Sequence, residues 1–124
     1  MKKLLYFSHP YSNKEENKVD IERCIQALYD NDDIFNKFII VSPVHCYGFM
    51  YENTEYNRGL QYCTDLLLKC DGMILVGNYE ESTGCKEELR ICNALGITHK
   101  LYKNIDELKD SIKTGDFINF YYNS

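Results

Sequence analysis

The sequence predicts an α/β fold of the flavodoxin-like (Rossmann-like) type: a three-layer sandwich around a parallel sheet of four to five strands in the order 2-1-3-4-5. Three observations carry that prediction. Short apolar runs recur along the chain without polar alternation, as strands covered on both faces require. Stretches of helical periodicity separate them, which is the pattern of right-handed βαβ units. Finally, 124 residues, 44% hydrophobic and 27% charged, with two prolines and seven glycines, fit one globular domain spanning 1–124 rather than a linker or fibrous chain.

Each element has its own justification. Lys-Leu-Leu-Tyr-Phe at 3–7 reads as a buried strand closed by the loop Ser8-His9-Pro10-Tyr11-Ser12. Ser12 with Glu15 three residues on is a capping-box signature, and Ile21, Cys24, Ile25 and Leu28 follow at helical spacing, so a helix is predicted over about 14–30. Asn31-Asp32-Asp33 ends it. Phe38-Ile39-Ile40-Val41 reads as the second strand, terminated by Ser42-Pro43. Residues 44–57 read as a loop of a length that is often functional in a small domain. A helix from about Glu55 to Lys69 buries Leu60, Cys63 and Leu67, and Met73-Ile74-Leu75-Val76 is the most apolar strand. The polar loop 77–84 leads into a helix over about 84–95 that Gly96 stops. A strand at Thr98–Tyr102 and a helix from Asn104, boxed by Glu107, complete the alternation. The aromatic tail Phe117-Ile118-Asn119-Phe120-Tyr121-Tyr122 reads either as an edge strand or as a segment docked on a neighbouring copy.

Composition excludes several function classes. With 19 acidic against 14 basic side chains and no basic run, the chain lacks the charge that binding a nucleic-acid polymer demands, although a single nucleotide could be held by helix N–H groups. The opening Met-Lys-Lys-Leu-Leu-Tyr-Phe imitates a signal peptide, but its apolar run stops after four residues, and no stretch approaches the ~18 apolar residues of a membrane span. The expected setting is cytoplasmic, without a membrane partner. The six cysteines, at 24, 46, 63, 70, 85 and 92, show no C-x-x-C spacing, and His9, His45 and His99 form no H-x-x-x-H pair, so neither a metal nor a cofactor is expected. They read as small buried hydrophobes on helix faces.

In the predicted order the switch point falls between the first and third strands, so chemistry is expected on the loops leaving them. The first loop offers Ser8, His9, Pro10, Tyr11 and Ser12, with Tyr6 just before it; the second offers Ser82, Thr83 and Gly84. Each leads into a helix start able to seat an anion, although Ser12 and Ser82 taken singly are ordinary N-caps. In the helix that follows, neighbours diverge by about 100°. Glu88 therefore joins Cys85 and Leu89 on the inward side, while Glu87 lies toward solvent with Arg90. A carboxylate inward beneath a ligand crevice has a raised pKa or poor hydration, both useful at an anomeric carbon.

Three segments in order, Tyr6-Phe7-Ser8-His9-Pro10-Tyr11, Cys70-Asp71-Gly72 and Ser82-x-Gly84-x-x-x-Glu88, resemble the nucleoside 2-deoxyribosyltransferase superfamily over about residues 3–100. That superfamily includes 2′-deoxynucleoside 5′-phosphate N-hydrolases and small members common in phages and prophages. The resemblance implies that Glu88 is a nucleophile toward C1′ of a (deoxy)ribosyl group, oriented by Tyr6. It implies that Ser82, standing where transferases carry an aspartate, meets a 5′-phosphate as in the hydrolases, with Gly84 and the 8–12 loop completing the seat. The reaction implied is a double displacement on a nucleoside or nucleoside 5′-monophosphate, with hydrolysis favoured. The resemblance also implies active sites built across subunits, so a homo-oligomer, a dimer or higher, is expected with the aromatic tail as its contact. One departure stands out: the position that handles the departing base holds Cys63 rather than aspartate, with Asp65 two residues on and His9 as another acid. Basic residues are missing from the first loop, Lys14 being the nearest. The alternatives are a nucleotide-derived ligand binder, for example one sequestering a signalling nucleotide, and a flavodoxin-like regulatory or oligomerisation module.

Overall fold

The computed structural model describes residues 1–52 and 56–123. Strand β1 (Lys3–Ser8) leads into α1 (Glu15–Tyr29), a short α2 (Asp32–Lys37) and β2 (Phe38–Val41). Then come α3 (Pro43–Tyr47), a 3-10 turn at Gly48–Glu52 and α4 (Tyr56–Leu68). The second half runs β3 (Gly72–Val76), a 3-10 turn at Tyr79–Glu81, α5 (Thr83–Leu95), β4 (Thr98–Tyr102), α6 (Ile105–Thr114) and α7 (Asp116–Tyr122). The described strands form one parallel sheet in the order β2-β1-β3-β4, with Leu5 opposite Ile40 on one side and opposite Gly72 on the other. The α/β flavodoxin-like fold is thus as expected, with four strands.

Strand alternation sorts the core into two layers and decides what faces the site. Leu5 and Phe7 of β1 pack with Ile74 and Val76 of β3 against α1, α2, α6 and α7. Tyr6 points to the opposite face, where it meets Met73, Leu75 and the α4 and α5 residues Cys63, Leu67, Cys85 and Cys92. Because side chains two apart on a strand share a face, Ser8 joins Tyr6 on the α4/α5 side.

Four expectations are corrected. Ser12 is no N-cap: it and Asn13 adopt left-handed backbone (φ 51° and 57°), and α1 starts after Lys14 without a side-chain cap. Asn17 reaches back instead, its Nδ2 donating to the Tyr11 carbonyl at 2.9 Å. The described residues of the segment 44–57 are helical, because Ser42-Pro43 reads equally as an N-cap with proline at N1; Ser42 Oγ accepts the His45 N–H. The helix predicted from Glu55 is described from Tyr56, and Glu55 lies outside the described residues. Asn31 both follows α1 and caps α2, taking the Ile34 N–H.

The tail is the fourth correction. It is not an edge strand but helix α7, split from α6 by Gly115 at φ 85°. Phe117 and Tyr121, four apart, fall on one helical face and are buried, and the Tyr121 hydroxyl donates to the Met73 carbonyl at 2.5 Å. Phe120 and Tyr122, on the other side of the same helix, stay more than a third exposed.

Candidate active site

The site lies at the carboxyl ends of β1 and β3. Its central group is Glu88, which α5 carries one turn inside its start. Ser82 caps that helix, its Oγ accepting the Cys85 N–H at 3.1 Å, and Cys85 and Cys92 fill the buried face on which Glu88 also stands. The Tyr6 hydroxyl donates to Glu88 Oε2, and the Ser8 hydroxyl donates to Oε1 at 2.7 Å. Both oxygens are thus fixed by the face of β1 that alternation turned toward α5. Glu87 points outward and pairs with Arg90 at 2.5 Å, as the helical geometry predicted.

Glu88 forms part of the lining of a cavity of about 180 Å³ that His9, Tyr11, Ser12, Ser82, Thr83 and Gly84 also line. The two loops expected to meet at the switch point therefore do so. Gly77, at φ 106°, lets the loop after β3 turn beneath Pro10, whose ring a Cβ there would meet at 3.1 Å. At Gly84 an added Cβ would meet Leu60 at 3.7 Å and Ser82 Oγ at 3.9 Å, both ordinary contacts, so the fold itself does not exclude a side chain there. The open space above it faces the cavity.

Burial dominates the electrostatics. It pushes the Glu88 carboxyl up from 4.5 to about 7, against the hydrogen bonds from Tyr6 and Ser8, which pull the other way. The Tyr6 phenol lies well above its usual range, through burial first and then the Glu88 charge. Burial likewise pushes the Cys85 thiol to about 11, and its sulfur lies 3.3 Å from Ser8 Oγ. The result is a carboxyl that holds its proton with moderate strength and becomes a poorly hydrated nucleophile once ionised.

The predicted residues do not all converge. Pro10 lines a neighbouring crevice, separated from the first by His9 and Ser12. His9 is buried with both ring nitrogens facing acceptors, Nδ1 on the Pro10 carbonyl and Nε2 on Asp20, each at 2.6 Å. It offers no N–H to a ligand, contrary to its expected use as an acid. Cys63 is buried, contacts the Tyr51 hydroxyl at 3.2 Å and shares with Glu88 a second cavity rather than the first. Asp65 is exposed and lines none of the cavities around Glu88, because two residues along a helix turn a side chain to a different face. It does not stand in for the missing aspartate.

Reading the sequence missed Asn13, Tyr51, Tyr56, Leu60 and Glu81 as lining residues. Tyr51 is held by its hydroxyl on Cys63 and by its carbonyl, which accepts from Asn13 Nδ2 at 3.3 Å. The only signal for it was the length of the middle segment.

A family model described as a domain of unknown function, DUF4406, matches residues 20–100, about two thirds of the chain. The match includes Cys63, Ser82, Gly84 and Glu88 and leaves out Tyr6 and Ser8. No curated protein matches the chain.

Proposed function

The chain belongs to the DUF4406 family, and we propose that it cleaves or transfers the N-glycosidic bond of a nucleoside or nucleoside 5′-monophosphate, with hydrolysis favoured. The observation that carries this reading is the Glu88 carboxyl held by Tyr6 and Ser8 beneath a cavity at the sheet's switch point. Ionised Glu88 attacks C1′ from the face opposite the base. The C1′–N bond breaks, and the base leaves with the bonding electrons and takes up a proton from water. The resulting glycosyl ester is opened by water, or by a second base, at the same carbon, and two inversions give net retention. Tyr6 and Ser8 stabilise the charge on the carboxylate before attack and after release. Residues at the start of α5, Ser82, Thr83 and Gly84, orient the sugar.

A second reading is supported by the leaving-group side: with Cys63 in place of an acid, Asp65 exposed and His9 committed, the chain binds a nucleotide-derived ligand without efficient cleavage. A panel of nucleosides and 5′-monophosphates separates the two. Base release by the wild type that Glu88→Gln reduces at least a thousandfold is the outcome expected for the first. Saturable binding without base release selects the second. Neither base release nor binding by the wild type contradicts both.

We also retain a homo-oligomer within the proposal, on the exposed aromatic side chains of Phe49, Tyr56 and Tyr62 and of Phe120 and Tyr122 in the tail. Sedimentation at a mass of one chain counts against it.

A further inference from the structure

We infer that the cavity above Glu88 takes an uncharged nucleoside and discriminates against its 5′-monophosphate; this rests on the glycosidase reading and names the substrate class of that same site. A monophosphate ester brings close to two negative charges, which a site must meet with cations or uncommitted N–H groups. The described residues lining the cavity include two carboxylates, Glu81 and Glu88, and no lysine or arginine. A phosphate there would sit in their field, in a partly desolvated space where charges interact more strongly than in water.

Two of the neutral donors beside Glu88 are committed, and the remaining hydroxyls carry no charge to set against an anion. Ser8 gives its proton to Glu88, and both His9 nitrogens serve Pro10 and Asp20. Ser82 takes the Cys85 N–H, closing the third N–H of α5. The first N–H groups of that helix, at Thr83 and Gly84, have no partner inside it. Together with the helix dipole they offer about half a unit of positive charge, suited to a hydroxyl or carbonyl oxygen. The other nearby helix start is neutralised by Glu15 and Glu16 in its own first turn. Lys14 and Lys103 lie in the neighbouring crevice, where Glu16, Asp20 and Glu81 outnumber them, and Lys86 and Arg90 line a second cavity that shares Glu88, with Arg90 paired to Glu87. The remaining wall is aromatic, from Tyr11, Tyr51 and Tyr56, and fits a base or sugar face rather than an anion.

The test pairs each nucleoside of a panel with its own 5′-monophosphate and measures both base release and, by calorimetry, binding to wild-type protein. At least a tenfold preference for the nucleoside in kcat/KM or Kd is expected, narrowing in Glu81→Lys. A monophosphate preferred or equal in either readout overturns the inference and leaves the glycosidase reading intact. Discrimination in binding without any base release supports the inference and overturns that reading. Neither binding nor release of any member overturns both.

Discussion

Two opposing forces act on the Glu88 carboxyl, and their balance sets the pH at which it can react. Burial favours the protonated form, the two hydroxyl donors favour the ionised one, and burial prevails, with a midpoint at about 7. Because the nucleophile must be ionised, kcat/KM should rise with pH through about 7 rather than through the ordinary carboxylate range near 4.5. Tyr6→Phe removes one of the donors that lower this value, so the rising limb should move to higher pH. It should also cost ten- to a hundredfold in rate, from a hydrogen bond to a charged group of about 1.5 to 3 kcal/mol. A pH–rate profile of wild type and variant reads both effects; a limb that stays in place or moves down contradicts the assignment of Tyr6.

At the level of the elements, α7 is a cover for the sheet. Phe117 and Tyr121 are almost fully buried beside Tyr102 and Phe38, and Phe117→Ala should cost about 3 to 5 kcal/mol in chemical unfolding. Truncation before Asp116 should therefore destabilise the fold, whereas an unchanged midpoint would return the tail to a role outside it. The tail also marks where local pattern ceases to determine structure. A run of aromatic residues suits a strand by propensity, and only the four-residue spacing of Phe117 and Tyr121 against the sheet face makes it a helix. By contrast, β3 lies where its apolar run does, with all five residues buried, because a buried parallel strand has no alternative use for such a segment. Glu88 was legible for a similar reason: helix geometry separates it from Glu87, whatever the tertiary contacts. Ser12 was not, since its backbone conformation depends on how Asn17 and Asn13 are engaged across the loop. Tyr51 was invisible because its partner, Cys63, is reached only through the packing of the middle segment on α4.

Across the whole molecule, the candidate catalytic group is also a charge that the fold holds at a cost. The folded pKa of Glu88 is raised, so its contribution to stability is fully present below the unfolded value of 4.5 and is lost as pH rises through about 7. That shift corresponds to about 3 kcal/mol as an upper figure. Glu88→Gln should accordingly be more stable than wild type above pH 8, by about 1 to 3 kcal/mol, and should flatten the decline between pH 5 and 8. Equal slopes in the two proteins would mean that the carboxyl is not desolvated. The sheet order and the two loops at its switch point bring Glu88 to the cavity, where the proposed reaction would present a sugar carbon to it. The measurement that bears most directly on this is mass spectrometry of protein acid-quenched during turnover of a nucleoside. A pentosyl adduct on the peptide bearing Glu88, absent from Glu88→Gln, is the result expected of a covalent double displacement. Base release that proceeds undiminished in Glu88→Gln, with no adduct on the wild-type peptide, would contradict it.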